Sequence, residues 1–369
     1  MNKKILDKYV EEGWVIKQSH PTLPLSIYNY SQATQYEKKW DEITLACRGL
    51  IVDDSTGEVI IKSFPKFFNY EEVAEDIPWT SSDYVYVQEK MDGSLGILFN
   101  YKGEWIMATR GSFTSVQAIK GLEMVKARYN DLRSFEPAIA YLCEIIYNEN
   151  RIVVKYDFEK VVFLGAAYNT SWNWNGQNTE ELYWTTALTF FKCAGIEKYD
   201  IVETNQVFNL NEDLYKTLKK KNEQNKEGFV LRFFPSNKRV KIKFEDYCAL
   251  HRILTQCSSY DIWENLLKFN KIPEELLKDV PDEFYDWVRA QENALREAYS
   301  KIEIEAYQKF DEIFDRVAIY QDEFDKMFAN EAKFYKNSGL LFSIKNNKSI
   351  REAIWKMIKP EFEKPFSNS

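Results

Sequence analysis

The rhythm of hydrophobic and polar positions changes once along this chain, near Leu254. Before that point, short runs rich in Val, Ile, Tyr and Phe alternate with polar turns, which is the signature of strands. RGLIVDDSTGEVIIKSF predicts two strands around a turn containing Gly57. DYVYVQEK, SLGILFNYKGEWIMATR, YLCEIIY, RIVVKYDFEKVVFLGAAYN and EGFVLRFFPSNKRVKIKF continue the pattern, with hairpins expected at Lys102-Gly103 and at Pro235-Ser236-Asn237. With a few helical stretches between them, these runs predict an α+β fold of mostly antiparallel sheets. Beyond Leu254 the spacing turns helical. In PDEFYDWVRAQENALREAYSKIEIEAYQKFDEIFDRV, Phe284, Trp287, Val288, Ala294, Leu295 and Ala298 recur at three- and four-residue steps. SIREAIWKMIKPEF predicts a last amphipathic helix, with Ser349 as N-cap and Pro360 as stop. The expected division is therefore 1–254 and 255–369, the second all-helical, and 369 residues suffice for two cores.

Composition narrows the classes. Hydrophobic residues at 45% and charged residues at 29% are ordinary for a soluble globular protein. Aromatics reach 16%, enough for aromatic cores and for surfaces that stack on bases. A net charge of −8 argues against a protein coated in nucleic acid but leaves room for a local basic groove. Residues 333–359 hold seven Lys or Arg against one acid, Glu352. That stretch reads equally as a solvated helix face or a phosphate-contacting surface. Five cysteines without a CxxC pair suit a reducing compartment and give no sign of zinc. Two histidines, His20 and His251, leave little material for a Ser-His-Asp triad or a His-rich metal site. No apolar run reaches membrane-spanning length, and MNKKILDKYVEEGW is too charged for a signal peptide, so a cytoplasmic location is expected.

The strongest chemical signal is Lys90-Met91-Asp92-Gly93-Ser94, directly after a strand-like run. A K-x-D-G-[ST] string arises by chance about once in a hundred chains of this size. A lysine amine attacks phosphorus only when deprotonated, and cations and burial around Lys90 are expected to lower its pKa. Asp92-Gly93 would turn the chain sharply, and Ser94 can donate a hydrogen bond. A lone lysine beside a turn is ordinarily a solvated charge; the ordered company of this one changes the odds. Downstream come Arg110-Gly111-Ser112, Glu144, Glu227-Gly228 and Lys241-Ile242-Lys243, each flanked by strand-like residues. Alternation along RVKIKF puts Lys241 and Lys243 on one face, suited to phosphates or to a solvated edge. Glu144 and Glu227 lie in apolar runs, where a carboxylate needs a cation, a metal, a ribose hydroxyl or a structural ion pair.

In these ordered motifs the sequence resembles the covalent nucleotidyltransferases, the ATP-dependent ligases and RNA-capping enzymes. Within them it is similar to the phage-type RNA ligase 1 group, through IYNYSQATQYEKKW, CRGLIVD and FPKFFNYEE before the nucleophile and a helical C-terminal domain after Lys243. The motifs cover about residues 25–251. The resemblance implies an antiparallel-sheet nucleotidyltransferase (adenylyltransferase) domain, with Lys90 as the adenylated nucleophile. It further implies Tyr28, Arg48, Lys66, Glu89, Arg110 and Val230 around ATP, with Arg48 and Lys66 toward the leaving pyrophosphate. Glu144 would hold the ribose or a metal-bound water, and Glu227 would help organise Mg²⁺ (or Mn²⁺). Lys241 and Lys243 would contact phosphates, Tyr247 would lie nearby, and Phe163 would pack with Val230 on the adenine. Arg110 stands where some relatives carry lysine, which keeps a cation but changes its geometry.

The activity so implied is ATP-dependent joining of RNA 5′-phosphate and 3′-hydroxyl ends through lysyl-AMP and RNA-adenylate. Phage members of the group suggest repair of cleaved tRNA, with a polynucleotide kinase/phosphatase acting upstream, no membrane, and a monomer. Two alternatives stay open: a GTP-dependent capping guanylyltransferase, and an RNA-binding protein that keeps the fold without turnover.

Overall fold

The computed structural model describes residues 2–74, 84–172, 181–208, 212–277, 280 and 282–365. The chain divides into two compact units, Met1–Ala249 and Leu250–Ser369.

The first unit opens with helix α1 (Lys3–Glu11), strands β1 (Val15–Ser19) and β2 (Leu25–Tyr30), and the short helices α2 (Gln32–Tyr36) and α3 (Glu42–Ala46). The Asp41 carboxylate accepts the Ile43 and Thr44 N–H groups and so fixes where α3 starts. Next come β3 (Arg48–Asp53), β4 (Glu58–Ile61), β5 (Phe68–Asn69), β6 (Tyr84–Glu89), β7 (Ser94–Tyr101) and β8 (Glu104–Ala108). After α4 (Val116–Arg128) follow β9 (Ile139–Ile146), β10 (Lys160–Tyr168), α5 (Trp184–Cys193), β11 (Thr204–Val207) and α6 (Glu212–Lys221). The unit ends with β12 (Gly228–Phe234), β13 (Arg239–Lys243) and α7 (Glu245–Gln256), within which the division falls.

Three sheets result, in the orders β1-β2-β3-β4, β10-β9-β7-β8 and β11-β6-β12-β13-β5. All pairings are antiparallel except β13 with β5. The three expected hairpins form, β3–β4, β7–β8 and β12–β13. Of RIVVKYDFEKVVFLGAAYN, only the part from Lys160 is strand; Asp83, in the expected run DYVYVQEK, lies outside the described residues.

Strand alternation builds two cores from β7 and β9. Leu95, Ile97, Phe99, Ala140 and Leu142 pack on Ile27, Ile51 and Ile61 of the first sheet. Leu98, Tyr141, Cys143 and Ile145 pack on the other side against Ala118 and Val125 of α4 and Ala187 and Phe191 of α5. Glu144 belongs by parity to the Ala140–Leu142 face, at the end where that core gives way to a cavity.

The second unit contains α8 (Ser259–Phe269), α9 (Asp282–Val317), α10 (Phe324–Ala332), α11 (Ser338–Lys345) and α12 (Arg351–Met357), with no strand among its described residues. The 36-residue α9 is its axis: Ile313 and Val317 pack with Phe328 and Leu341, and Ala306 with Leu340 and Ile354. Phe284, Val288 and Leu295 are buried as the spacing predicts, but Ala294 is exposed. Glu292 turns inward instead, paired with Arg289 and Arg296 one turn away on either side. The N-cap of α12 is Ile350 and not Ser349 as expected, although the Ser349 hydroxyl accepts the Arg351 N–H; α12 ends before Pro360. In the basic stretch, Lys345 pairs with Asp325 and Lys356 with Glu352, Arg351 donates to the Leu266 carbonyl, and Lys359 lies over Tyr260. No described helix is long and apolar enough to cross a membrane.

Candidate active site

Lys90 leaves β6 beside the start of β12, its N–H donating to the Gly228 carbonyl at 2.9 Å. Gly228 has φ +142°, and a Cβ there would lie 2.0 Å from the Ile242 carbonyl oxygen, so only glycine lets β12 start this close to β13. The residue before it, Glu227, thereby meets two ammonium groups. Its Oε2 is 2.7 Å from Lys90 Nζ and its Oε1 is 2.8 Å from Lys243 Nζ.

The Asp92-Gly93-Ser94 segment is anchored on every side. The Asp92 carboxylate accepts the Val153 and Val154 N–H groups at 2.9 Å and the Tyr247 hydroxyl at 2.8 Å. Gly93 donates its N–H to Glu144 Oε1 at 3.1 Å, and a Cβ there would sit 2.6 Å from the Ile145 carbonyl oxygen. Ser94 donates to Asn150 Oδ1, which is itself oriented through the Ile145 carbonyl. The sharp turn expected at Asp92-Gly93 thus packs directly on β9, which fixes Lys90 relative to Glu144.

Electrostatics at Lys90 differ from the sequence expectation. Burial does push the Lys90 ammonium down, but the Glu227 and Glu144 carboxylates outweigh it and hold the pKa above the usual lysine value. Reciprocally, burial would raise Glu227, yet Lys90 and Lys243 hold it below the usual carboxylate range. Glu144 is pushed up to about 7, chiefly by burial, with Lys90 and Arg48 only partly offsetting it. Lys241 is pushed down to about 8 by burial and by the neighbouring charges of Lys66, Lys90 and Lys243.

A cavity of about 520 Å³ opens beside Lys90, large enough for a nucleotide. Of the residues singled out from sequence, Arg48, Glu89, Lys90, Arg110, Glu144 and Val230 line it. Glu227, Lys241, Lys243 and Lys66 are outside that lining; the first three connect to it through the Glu227 pairings and the shared face of β13. Tyr28 does not join the site. It is fully buried among Leu6, Val15 and Leu50, and its hydroxyl donates to Asp7. Phe163 is likewise core, packed among Phe135, Tyr141 and Phe191; a bulge in β10 between Phe163 and Gly165 sends Leu164 to the cavity instead. Tyr247 sits beneath Lys243, 4.9 Å from ring centroid to ammonium, and holds Asp92.

Several contributors were not singled out in the sequence. Arg239 shares the β13 face with Lys241 and Lys243, a position the same alternation could have found; it lines the cavity, stacks on Phe64 and pairs with Glu181. Tyr30, Trp40 and Phe67 carry no periodic signal. Yet Phe67 lies under Arg48, Tyr30 under Arg110, and Tyr30 with Trp40 under Lys66. Among the described residues no carboxylate forms an ion pair with Arg48, Lys66, Arg110 or Lys241, and Arg48 Nη1 is buried without a hydrogen-bond partner. Arg48 and Arg110 on the cavity lining, with Lys66 and Lys241 outside it, give this region a cationic character suited to a polyanion. No group of three or more His, Cys, Asp or Glu among the described residues forms a metal cage. Glu144 and Glu227, the carboxylates acting on Lys90, would suit a magnesium ion that keeps most of its waters and takes one or two carboxylates plus phosphates.

A family model described as RNA ligase matches residues 46–248. The chain is 25% identical over 253 residues to a protein named "Putative bifunctional polynucleotide kinase/RNA ligase" from Autographa californica nuclear polyhedrosis virus, covering 62% of this chain and 33% of that protein. The chain thus spans about a third of the length of that relative. Among solved structures, an archaeal ATP-dependent RNA ligase is 14% identical with a TM-score of 0.47, covering 94% of this chain and 80% of that one. A "Putative ATP-dependent DNA ligase" from Aquifex aeolicus is 16% identical with a TM-score of 0.44, covering 89% of this chain and 77% of that one. The matched span runs from just before Arg48 to just beyond Lys243 and takes in Lys90, Glu144 and Glu227, and on this match the chain belongs to the RNA ligase family.

Proposed function

We propose that this chain is an ATP-dependent RNA ligase that carries AMP on Lys90 and joins RNA 5′-phosphate and 3′-hydroxyl ends. The observation that carries the reading is the contrast around the cavity. Lys90 is held on a buried carboxylate, while Arg48 and Arg110 on the cavity lining, and Lys66 and Lys241 outside it, form no ion pair with a carboxylate among the described residues.

In the first step the Lys90 amine, once deprotonated, attacks the α-phosphorus of ATP. The nitrogen–phosphorus bond forms as the bond to pyrophosphate breaks, and the uncompensated cations stabilise the charge that leaves. Glu227 and Glu144 hold the Lys90 proton in the ligand-free protein, and nucleotide arrival must release the lysine from them. Magnesium at Glu227 and Glu144 would neutralise phosphate charge and compete with Lys90 for those carboxylates. An RNA 5′-phosphate then takes the AMP from Lys90, and an RNA 3′-hydroxyl displaces AMP to seal the strand. Asp92, locked by three hydrogen bonds, keeps the Lys90 segment in place throughout.

The same reading extends to cleaved tRNA as the RNA and to the helical second unit as the part that reads its shape. It also takes the enzyme to be a monomer in the cytoplasm (the host's, for a phage-encoded chain). The name of the viral relative, which joins a polynucleotide kinase to an RNA ligase, supports ends prepared by a kinase.

The test is incubation with magnesium and α-labelled ATP or GTP, followed by denaturing electrophoresis. Label from ATP that is lost in Lys90→Ala, with sealing of pre-adenylated RNA retained, is the expected result. Label from GTP alone would move the chain to capping chemistry, and no label from folded protein first stripped with pyrophosphate would end the enzymatic reading.

A further inference from the structure

Lys66 is held by rings and not by acids. Its ammonium lies 5.4, 5.2 and 5.3 Å from the ring centroids of Tyr30, Trp40 and Phe68. Its backbone is pinned by an N–H bond to the Leu45 carbonyl at 2.8 Å. The rings brace one another edge to face, Tyr30 on Trp40 at 5.2 Å and Trp40 on Phe68 at 5.5 Å. Tyr30 also serves a second cation: Arg110 Nη1 donates to its hydroxyl at 3.4 Å, and the guanidinium carbon is 5.5 Å from its centroid.

A π face attracts a cation without cancelling its charge. A carboxylate offsets it, as Glu227 does in part for Lys90 and Lys243. The cage therefore removes the rotamer freedom of a long side chain while leaving its full charge for a ligand, which is what preorganised stabilisation of a leaving anion requires. The cage adjoins the site: Phe68 pairs with Val240, next to Lys241, across β5 and β13, and Tyr30 holds Arg110, which lines the cavity.

We propose that Tyr30 and Trp40 are positioning residues that preset Lys66, and through Tyr30 also Arg110, for the triphosphate of ATP, so that they act in lysine adenylation and not in strand sealing. This rests on the adenylation reading of the site. Pre-adenylated RNA carries no pyrophosphate, and its sealing makes no demand on cations aimed at that group.

The experiment uses the full chain with Trp40→Leu, Trp40→Phe, Tyr30→Phe, Lys66→Ala and the Trp40→Leu/Lys66→Ala pair. Two rates are read: labelled adenylate formation against ATP concentration, and sealing of 5′-adenylated RNA without ATP. Trp40→Leu is expected to lower the efficiency of adenylation about tenfold or more and to leave sealing within about threefold of wild type. Trp40→Phe should restore most of the loss, Tyr30→Phe should show only the part carried by the Arg110 hydrogen bond, and Trp40→Leu should add nothing once Lys66 is alanine. Equal losses in the two reactions, or a Trp40→Leu effect that multiplies with Lys66→Ala, would overturn the proposal. Should Trp40→Leu fail to fold, Phe68→Leu removes a ring from the same cage and must give the same split. If wild type forms no adenylate at all, the functional reading itself fails, an outcome distinct from any pattern among the ring variants.

Discussion

Lys90 Nζ lies 2.7 Å from Oε2 of Glu227, a carboxylate only 3% exposed. Each partner offsets the cost of burying the other. The signs follow from the directions of their shifts. Glu227, lowered in the fold, contributes stability above the unfolded carboxylate pKa that is lost as pH falls through its folded value. Lys90, raised in the fold, contributes stability below the unfolded lysine pKa that is lost as pH rises through its folded value. The pair is therefore intact across the neutral range, and Lys90 rests as an ammonium.

Changing the load on Glu227 should move the pH dependence of adenylation in opposite directions. Glu227→Gln removes the acid nearest Lys90, so the acid limb of lysyl-adenylate formation should shift to lower pH by about one unit or more, whatever happens to the maximum. Lys243→Met releases Oε1 from its second cation and strengthens the hold on Lys90, so the limb should shift upward. Rates of label transfer from pH 5.5 to 9.5, each buffered at constant ionic strength, give both values; limbs that coincide with wild type would contradict the assignment.

Glu144 supplies a stability prediction. Its carboxyl is raised to about 7, so between the unfolded pKa and 7 the native state binds the extra proton, and stability falls as pH rises through that window. Glutamine mimics the protonated acid and keeps an oxygen for the Gly93 N–H. Glu144→Gln should therefore stabilise the ligand-free protein at pH 8 by up to about 3 kcal/mol and leave it nearly unchanged at pH 5. Chemical denaturation at the two pH values decides it, and an equal gain at both would show that desolvation of the charged form is not the cause.

Gly93 is a matter of distance. A methyl group there would stand 2.6 Å from the Ile145 carbonyl oxygen and 3.1 Å from Glu144 Cγ. Relief requires the Lys90–Ser94 segment to lift from β9, breaking the Gly93 bond to Glu144. Gly93→Ala should slow adenylation about a hundredfold, since a shift near 1 Å at a nucleophile costs that much, and should destabilise the fold by about 1–3 kcal/mol. Adenylation within a few-fold of wild type in the folded variant would mean that β9 yields instead.

What could be read from the sequence was whatever depends on local period and local chemistry. Alternation in RVKIK put Lys241 and Lys243 on one face, as β13 has them, because strand parity is a property of a few consecutive residues. Lys90 and Arg110 could be picked out through their short motifs, Glu144 and Glu227 because charge inside an apolar run demands a partner, and Arg48 only through the family resemblance. Tyr28 and Tyr30 are the instructive pair. Both sit on β2, but only Tyr30, at the strand end next to a register shift against β3, reaches the cations, while Tyr28 goes to the core with Leu6 and Leu50. Phe163 and Leu164 differ in the same way across a bulge. Bulges depend on the partner strand, so one strand's sequence does not reveal them. The sign of the Lys90 shift was also out of reach, since it depends on Glu227 arriving from 137 residues away.

Lys241 sets stability against function most directly. Its amine is lowered to about 8 by burial and by Lys66, Lys90 and Lys243, against about 10.4 for an unfolded lysine. Between those values the unfolded chain binds more protons, so this group makes stability rise with pH across that window, and below 8 the full penalty of holding the charge applies. Lys241→Met should therefore stabilise the ligand-free protein at pH 7 by up to about 3 kcal/mol, with the gain shrinking as pH approaches 10. The same change removes an uncompensated cation from the phosphate-binding region and should reduce adenylation about a hundredfold. ATP should also raise the melting temperature of wild type more than that of the variant, because a bound triphosphate repays the charge that the empty protein holds at a cost. Melting curves at pH 7 and 9.5, with and without ATP, separate the two contributions. A variant destabilised at pH 7 would show that Lys241 is compensated within the fold and is not held in reserve for a ligand.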